Sequence, residues 1–510
     1  MATTVDRSDP RYNMLKRSRN LRWPAHEADA AEEIEICETS EQAAETLQRI
    51  VRAGVRPTIR SGGHCYEDFV VNNPAGSILD LSLLTTSSMT GDGNRYRIGP
   101  GQQLGEVYQE LYKRRGVTIP AGTCYSVGAG GHISGGGYGL LSRLHGLTID
   151  WLSQVEILTV DSKGHVDLRR VDKDHDADLF RACRGAGGGN FGVITGFLFD
   201  RLPTAPYEVV NTQLSFDWAT MKEDTFTAIL TTFGNYFAHR GHDPETWGLF
   251  SILELTHASS GRLGISVQFC NPDGRCDDLK VLEEFLDLFH EFEPDPDKAP
   301  VSGQKRPPRE GPATRERVGR HTVDKRLWLD ATIGGSGSGH SSRAKYKSSY
   351  MRETFSDAES KCIYKHLTRM VDSLDLRSMV LSVDSYAGAA NAKGLAEATS
   401  SWQRSSIMKT QFQHYWTNPE EDAARLQWTR EFFSDLYSQH GEARYAGTPY
   451  PSDRYEGCYI NYPDSDMLAY DFWPQLYYGD KELYPFLQKV KRRYDPNNIF
   501  HHAMSVRPPK

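Results

Sequence analysis

Three glycine-rich stretches in the first two hundred residues constrain this chain more than anything else in it. They are Arg60-Ser61-Gly62-Gly63-His64, the run from Gly122 to Gly146, and the cluster from Gly185 to Gly192. Glycine lets the backbone take positive φ and approach a ligand closely, so clusters of this density mark places where main chain forms the working surface. Two reactive side chains stand among these loops. His64 closes the first, and Cys124 follows in Ala121-Gly122-Thr123-Cys124. An imidazole and a thiol are well suited to forming a covalent bond to a bound ring.

Gly187, Gly189 and Gly192 match a GxGxxG pattern, which binds dinucleotides only where a strand precedes it and a helix follows. Here a helical segment, Ala177 to Arg181, comes before and the β-branched Val193-Ile194-Thr195 comes after. The order is reversed, so no Rossmann site is expected. The chain has no GxxxxGK[ST] phosphate loop either. What remains is a set of glycine loops opening from strands, whose N–H groups jointly cradle a pyrophosphate.

The N-terminal third alternates strand and helix signals. Val55 to Ile59, Ser77 to Leu81, Tyr96 to Ile98 and Val155 to Val160 read as strands, the last followed by a turn at Asp161-Ser162-Lys163-Gly164. Leu104 to Tyr112 is an amphipathic helix with Leu104, Val107, Tyr108 and Leu111 on one face, closed by Gly116. After Pro203 the patterns Leu249 to Leu255 and Leu263 to Phe269 suggest antiparallel strands, and Leu279 to Phe292 a helix. Glu293 to Ser342, with its run Gly334-Gly335-Ser336-Gly337-Ser338-Gly339, reads as a long loop. The expected organisation is an N-terminal domain part over 1–203, a second domain over 204–452, and a return to the first over 453–510.

A chain of 510 residues is long enough for two substantial domains. Its net charge of −8 offers no basic surface for nucleic acid or anionic lipid, and no apolar run approaches the ~20 residues that span a bilayer. The N-terminal Met1-Ala2-Thr3-Thr4-Val5-Asp6-Arg7 has no apolar signal region, which suggests a cytoplasmic protein, or a secreted one whose leader has been removed. The eight cysteines form no CxxC pair, so no structural metal is expected. Cys270 and Cys276 flank the turn Asn271-Pro272-Asp273-Gly274 and read either as a disulfide across a hairpin or as two reduced thiols.

Four ordered motifs now carry a resemblance. They are Arg60-Ser61-Gly62-Gly63-His64; Pro120 to His132 with Gly135-Gly136-Gly137-Tyr138-Gly139; Cys458-Tyr459-Ile460-Asn461-Tyr462-Pro463-Asp464; and Tyr494-Asp495-Pro496-Asn497. Together they resemble the berberine-bridge-enzyme-like flavoproteins of the vanillyl-alcohol-oxidase superfamily, and within them the microbial oxidases of sugars and glycosylated natural products. The resemblance implies an α+β, two-domain FAD-binding fold with a central antiparallel-sheet substrate domain. It implies FAD bonded through His64 at the 8α-methyl and Cys124 at C6, with the glycine loops forming its cradle. The residues assigned to that cradle are Arg60, Ser61, Gly62, Gly63, Gly122, Thr123, Val127, Gly128, Gly130, Gly131, His132, Gly135, Gly136, Gly139, Gly192, Val193 and Asn461. Cys65 is read as a small packing residue. Two bonds at one edge of the ring leave the other edge open to bulky substrates.

Hydride transfer from an alcohol needs a base for its proton, and a tyrosine serves if its pKa falls from ~10 toward neutrality beside positive charge or hydrogen-bond donors. The candidates are Tyr462, Tyr459 and Tyr138, with Tyr462 favoured as base and Tyr138 assisting. A strand at Tyr459 to Tyr462 would put these two on opposite faces, one toward substrate and one toward FAD. Apart from Glu456, no glutamate lies between Gly447 and Tyr462, unlike the alkaloid-cyclising members, whose base is a glutamate. Val127, three residues after Cys124, is small, which in similar proteins accompanies rapid reaction of the reduced flavin with O2. The expected activity is an FAD-dependent alcohol oxidase acting on a sugar, oligosaccharide or glycosylated metabolite and releasing H2O2. The alternatives are an FAD dehydrogenase, an oxidative tailoring or cyclising enzyme, and a non-catalytic flavin-binding protein. Trp218, Trp247, Trp328, Tyr350, Trp402 and Trp416 suit either stacking on sugars or core packing. Oligomeric state is left open.

Overall fold

Strand Pro57–Arg60 feeds the first glycine loop, and its setting shows how the chain builds its cradle. The computed structural model describes residues 2–90, 95–294, 313–334, 341–372, 374–439, 441–479 and 482–509. Pro57–Arg60 lies parallel to Ser77–Asp80, which is parallel to Glu33–Ile36, and Thr3–Asp6 closes the edge of this four-stranded sheet antiparallel. The crossover is helix Ser40–Arg52, whose N-terminus is capped by the Thr39 hydroxyl accepting from Gln42 N–H at 3.2 Å. Ala43, Leu47 and Ile50 on one stripe of that helix are buried.

A second, five-stranded antiparallel sheet runs in the order Ser88–Thr90, Arg95–Ile98, Val193–Phe199, Gln154–Val160, Val166–Asp172. Its central strand Val193–Phe199 follows the third glycine cluster, and helix Ala177–Cys183 precedes it. The order is therefore helix, glycines, strand, the reverse of a dinucleotide fingerprint. Helix Leu104–Arg115 ends at Gly116, which takes a left-handed φ of 62°.

The third sheet has eight antiparallel strands drawn from residues 208–416, in the order Thr314–Val318, His321–Leu327, Glu208–Asp217, Arg262–Phe269, Leu249–Thr256, Met379–Ser385, Met408–Trp416, Arg343–Met351. Its two faces divide by the period of two. Along Met408–Trp416, Phe412, His414 and Trp416 alternate with Lys409, Gln411, Gln413 and Tyr415. The first set packs toward helix Asp422–Leu436, with Phe412 5.1 Å from Phe432 and His414 5.6 Å from Trp428. Of the second set, Gln411, Gln413 and Tyr415 line a large cavity and Lys409 is fully buried. Burial of one face and a mixed polar opposite face fix the register of these strands.

Several expectations change. The helix expected over Leu279 to Phe292 is Lys280–Asp287 followed by a 3₁₀ turn at His290–Phe292. The expected loop from Glu293 to Ser342 contains strands Thr314–Val318 and His321–Leu327 and helix Trp328–Gly334. Val318 pairs with His321 around Gly319, whose φ of 55° fits a two-residue hairpin turn. Gly335 to Gly339 lie outside the described residues. Cys270 and Cys276 are buried free thiols, and burial pushes Cys276 up to about 12. Among the described residues no helix is long and apolar enough to cross a membrane.

Candidate active site

The first two glycine loops touch backbone to backbone. A Cβ on Gly62 would stand 2.3 Å from the Gly128 nitrogen, and one on Gly128 would stand 2.4 Å from the Gly62 nitrogen. No other residue fits on either side of that seam without moving main chain. Across it His64 Nε2 lies 3.0 Å from the Ser126 hydroxyl, so His64 and Cys124 open into one cavity. Burial, reinforced by the Arg19 charge, presses the His64 imidazole down to about 3. It is therefore neutral at pH 7, the form in which a ring nitrogen is nucleophilic.

The cavity holds about 890 Å³, toward the upper end of the ~300–1,000 Å³ of ligand pockets. Most of the cradle residues line it: Arg60, Ser61, Gly62, Gly63, His64, Gly122, Thr123, Cys124, Val127, Gly128, Gly130, Gly131, His132, Gly139, Gly192 and Asn461. Gly139 has no room for a side chain, because a Cβ would lie 1.6 Å from the Ala121 carbonyl oxygen. His132 acts on the loop itself, since its Nε2 accepts the Gly122 N–H at 3.0 Å. Burial and the nearby Lys409 charge press it down to about 4, which keeps it neutral for that role. Gly131 and Gly188 line the cavity with no protein atom within 4 Å of where a Cβ would be. Their bare backbone leaves the space for a ligand, and Gly187 and Gly189 with φ of 89° and 70° turn the third loop into the same space. These features fit FAD, whose pyrophosphate needs main-chain N–H groups and whose ring needs a broad slot.

Three of the residues assigned to the cradle lie off the cavity wall. Gly135 is not on the cavity wall; its missing side chain makes room for the Asn461 amide, which a Cβ would meet at 2.1 Å. Gly136 supplies a backbone turn with φ of 135° beside the Tyr459 ring. Val193 is fully buried in a hydrophobic cluster with Leu158 and Val160. Arg60 does line the cavity, but its Nε donates to Asp80 at 2.6 Å, so its charge braces the strand.

At the far end the three candidate tyrosines converge. Cys458 to Tyr462 is not a strand but a turn, in which the Tyr462 N–H donates to the Tyr459 carbonyl at 2.9 Å. The turn brings both rings to one side, 4.9 Å apart edge to face, instead of placing them on opposite faces. Between them and Tyr138 stands Lys409, fully buried. Its Nζ is 3.2 Å from the Tyr462 hydroxyl, 2.9 Å from Asp384 Oδ2, and 4.0 Å from the centroid of the Tyr138 ring. Sequence reasoning missed both Lys409 and Asp384. The signal that marks them is the alternation Lys409, Gln411, Gln413, Tyr415 in an otherwise apolar strand.

The expected lowering of the tyrosine pKa is not what this arrangement does. Burial pushes Tyr462 and Tyr138 well above 10, with the Asp384 charge adding to both. Tyr459 is pushed up less, to about 12. Burial is opposed there by the Asn461 amide and the backbone N–H groups of Gly137 and Tyr138. The Tyr138 hydroxyl donates to the Ser385 carbonyl at 2.7 Å, so it is tied to the sheet. Glu456 accepts from Ser405 and Ser406, away from the cavity. None of the six aromatics considered for sugar stacking lines the cavity. The aromatic rings that do line it include Tyr66, Tyr346 and Tyr415, with Tyr66 and Tyr346 stacked at 3.5 Å.

A backbone-lined cofactor cavity with a polar sheet face at one end is the site of a flavin oxidoreductase, and the comparisons agree. Residues 32–166 match the FAD binding domain, and residues 458–507 the berberine and berberine-like domain. The chain is 33% identical to the aclacinomycin-N/aclacinomycin-A oxidase of Streptomyces galilaeus, covering 99% of this chain and 90% of that one. It is 34% identical to the hexose oxidase of Chondrus crispus, covering 99% and 95%. The crystal structure of a glycopeptide hexose oxidase complexed with teicoplanin superposes with a TM-score of 0.85 at 33% identity, covering 100% and 99%. The glucooligosaccharide oxidase of Acremonium strictum, described with 6-S-cysteinyl, 8α-N1-histidyl FAD, shares the fold at 21% identity and a TM-score of 0.77, covering 100% and 97%. The chain belongs to the berberine-bridge-enzyme-like family of FAD-linked oxidoreductases.

Proposed function

We propose that this chain is an oxidase that takes hydride from an alcohol carbon of a sugar, oligosaccharide or glycosylated metabolite. The observation that carries the reading is the convergence of Tyr462, Tyr459 and Tyr138 around the buried Lys409 at the end of the cavity walled by Gln411, Gln413 and Tyr415. FAD, which His64 and Cys124 would hold in the cavity, would supply the hydride acceptor and the route of the electrons to O2 as H2O2. Ser126 engages His64 Nε2, which leaves Nδ1 as the nitrogen for the bond. In the proton step, the alcohol proton passes to Oη of the ionised form of Tyr462, which becomes a neutral phenol. The Lys409 ammonium at 3.2 Å stabilises the phenolate by direct charge, an effect enlarged by the low dielectric of a buried site. Amide and hydroxyl groups on the sheet face match the donors and acceptors of a polyol. The small Val127 beside Cys124 leaves room for O2 on the ring.

A second reading makes Tyr459 the base. Its hydroxyl accepts from Asn461 Nδ2 at 3.2 Å and from two backbone N–H groups, and its pKa is the least raised of the three. In both readings the alcohol becomes a carbonyl as hydride leaves carbon and the proton leaves oxygen. Acid precipitation and a peroxide assay test the proposal. A yellow pellet and H2O2 release on a panel of hexoses and oligosaccharides are expected. With His64→Ala or Cys124→Ala one bond remains, and the double variant gives a colourless pellet. A colourless wild-type pellet overturns the tethers, and no peroxide with any alcohol overturns the oxidase.

A further inference from the structure

Among the first 20 residues, Arg19 and Asn20 reach the cavity wall, and Arg19 brings a charge. The Arg19 backbone N–H donates to the Gly63 carbonyl at 3.1 Å, which seats Arg19 beside the loop carrying His64. Its side chain lines the same cavity as His64 and Cys124. Among the described residues its guanidinium has no hydrogen bond and no ion pair, unlike Arg60, which is paired with Asp80. A half-buried arginine without a carboxylate has its charge available to whatever the cavity holds.

Three phenols lie within electrostatic reach of Cys124. Tyr66 comes from the first loop, Tyr108 from helix Leu104–Arg115 and Tyr346 from strand Arg343–Met351, and burial keeps each of these phenols protonated. Arg19 brings a positive charge to this end of the cavity, and that charge reaches both Cys124 and His64. A bond to the flavin ring requires a thiolate at Cys124 and a neutral imidazole at His64. One positive charge between them favours both states, since it stabilises the sulfur anion and opposes a second proton on the ring.

We propose that Arg19 activates Cys124 for flavin attachment, its guanidinium stabilising the thiolate that forms the bond and adding to the burial that keeps His64 neutral. This rests on the reading that the flavin is bonded at both residues. In the step, the sulfur lone pair forms the S–C bond at C6 and that carbon's C–H bond is lost. Two electrons pass through the ring to O2, which leaves as H2O2 with the thiol proton and the carbon-bound proton. Arg19 is an activating residue, not a participant in turnover.

Peptide mapping of the enzyme as isolated tests this with a readout independent of activity. Arg60 and Arg95 flank His64, and Arg115 and Arg143 flank Cys124, so trypsin places the two on separate peptides. In the wild type one flavin joins both. Arg19→Gln purified at pH 7 is expected to carry flavin on the His64 peptide with the doubly linked species reduced at least about tenfold, as loss of thiolate predicts. Arg19→Lys keeps the charge and restores the link. Incubating Arg19→Gln in air at about pH 9.5, above the ordinary thiol pKa, also restores it. Full double linkage in Arg19→Gln at pH 7 overturns the proposal. So does a loss that neither Arg19→Lys nor high pH repairs, which would mark Arg19 as structural. A wild type lacking the doubly linked peptide overturns the tether reading itself, a result distinct from both.

Discussion

The Lys409 ammonium donates to the Tyr462 hydroxyl at 3.2 Å while ion-paired to Asp384 at 2.9 Å, both from adjacent strands of the eight-stranded sheet. The register Asp384 opposite Lys409 puts cation and anion side by side on the cavity face, so the pair is built by strand alignment before any ligand arrives. A positive charge held there by an anion behind it is available to a phenolate in front of it. Replacing Lys409 by Met should lower kcat by roughly 10²- to 10³-fold, within the range of a disabled general base. Removing the cation raises the tyrosine pKa further, so the acidic limb of kcat/KM should move to higher pH. Lys409→Met alone leaves Asp384 buried and unpaired, at about 3–5 kcal/mol. Asp384→Asn is the complementary variant to assay: it keeps the cation and removes the charge that raises Tyr462, so its acidic limb should move to lower pH. An unshifted pH profile in that folded, flavin-loaded variant would sink the assignment.

Tyr462→Phe and Tyr459→Phe separate the two candidate bases. The residue whose loss slows anaerobic flavin bleaching by about 10²-fold or more is the base, and the other should cost less than about tenfold. Because Asn461 Nδ2 bridges Tyr459 Oη at 3.2 Å and the His132 carbonyl at 2.9 Å, Tyr459→Phe also frees one donor of the turn. A modest change of KM in that variant without a kcat effect would identify Tyr459 as a positioning group. Equal, small effects of both substitutions would remove the tyrosine mechanism.

How much of this was legible in the sequence follows from which interactions are local. The glycine loops, the strands entering them and the pairing of His64 with Cys124 depend on short motifs, and the FAD fold could be read from them. The faces of the long strands could not. Lys409 and Asp384 are separated in sequence and meet only through the register of Met379–Ser385 with Met408–Trp416. The same holds for the turn at Tyr459 to Tyr462, which alternation alone reads as a strand. The turn is imposed by Asn461, held by the His132 carbonyl and packed on Gly135, contacts more than three hundred residues apart. Gly135 and Val193 lie off the cavity wall for the converse reason. Proximity in sequence to the cradle does not distinguish a glycine that faces the ligand from one that makes room behind it.

Gly128→Ala tests the seam between the loops. Its new methyl would lie 2.1 Å from the Ser61 hydroxyl and 2.4 Å from the Gly62 nitrogen, and the second of these is main chain that cannot rotate away. Overpacking of this kind costs about 1–3 kcal/mol or more. The expected variant melts at lower temperature by scanning fluorimetry and is isolated with little flavin. Gly441→Ala, at an exposed position off the cavity wall with ordinary φ and open space where the added carbon would lie, is the control and should melt as the wild type does. Equal melting of both would show that the two loops separate without cost.

The turn bearing Tyr462 is anchored one residue beyond Pro463 by a buried charge cluster. Lys345 Nζ lies 2.6 Å from Asp464 and 2.9 Å from Glu67, and Asp466 contacts Lys347 at 2.9 Å and Arg430 at 2.7 Å. Burial pushes the Asp466 carboxyl up, but Lys347, Lys345 and Arg430 outweigh it and hold the group far below the usual carboxylate range. A depressed folded-state pKa contributes stability that is complete above the unfolded value near ~3.9 and is lost as pH falls below it. Wild-type melting temperature should therefore drop steeply below about pH 4, in part through this residue. Asp466→Asn removes the charge and should cost about 2 kcal/mol at pH 7, less than the ~3–5 kcal/mol of a fully buried broken pair because Asp464 and Glu67 still neutralise the lysines. The same variant should narrow the gap to wild type as the pH is lowered, since protonation of Asp466 makes the two alike. A gap that stays constant from pH 7 to pH 3 would mean that Asp466 is not the group whose protonation loosens this end of the site.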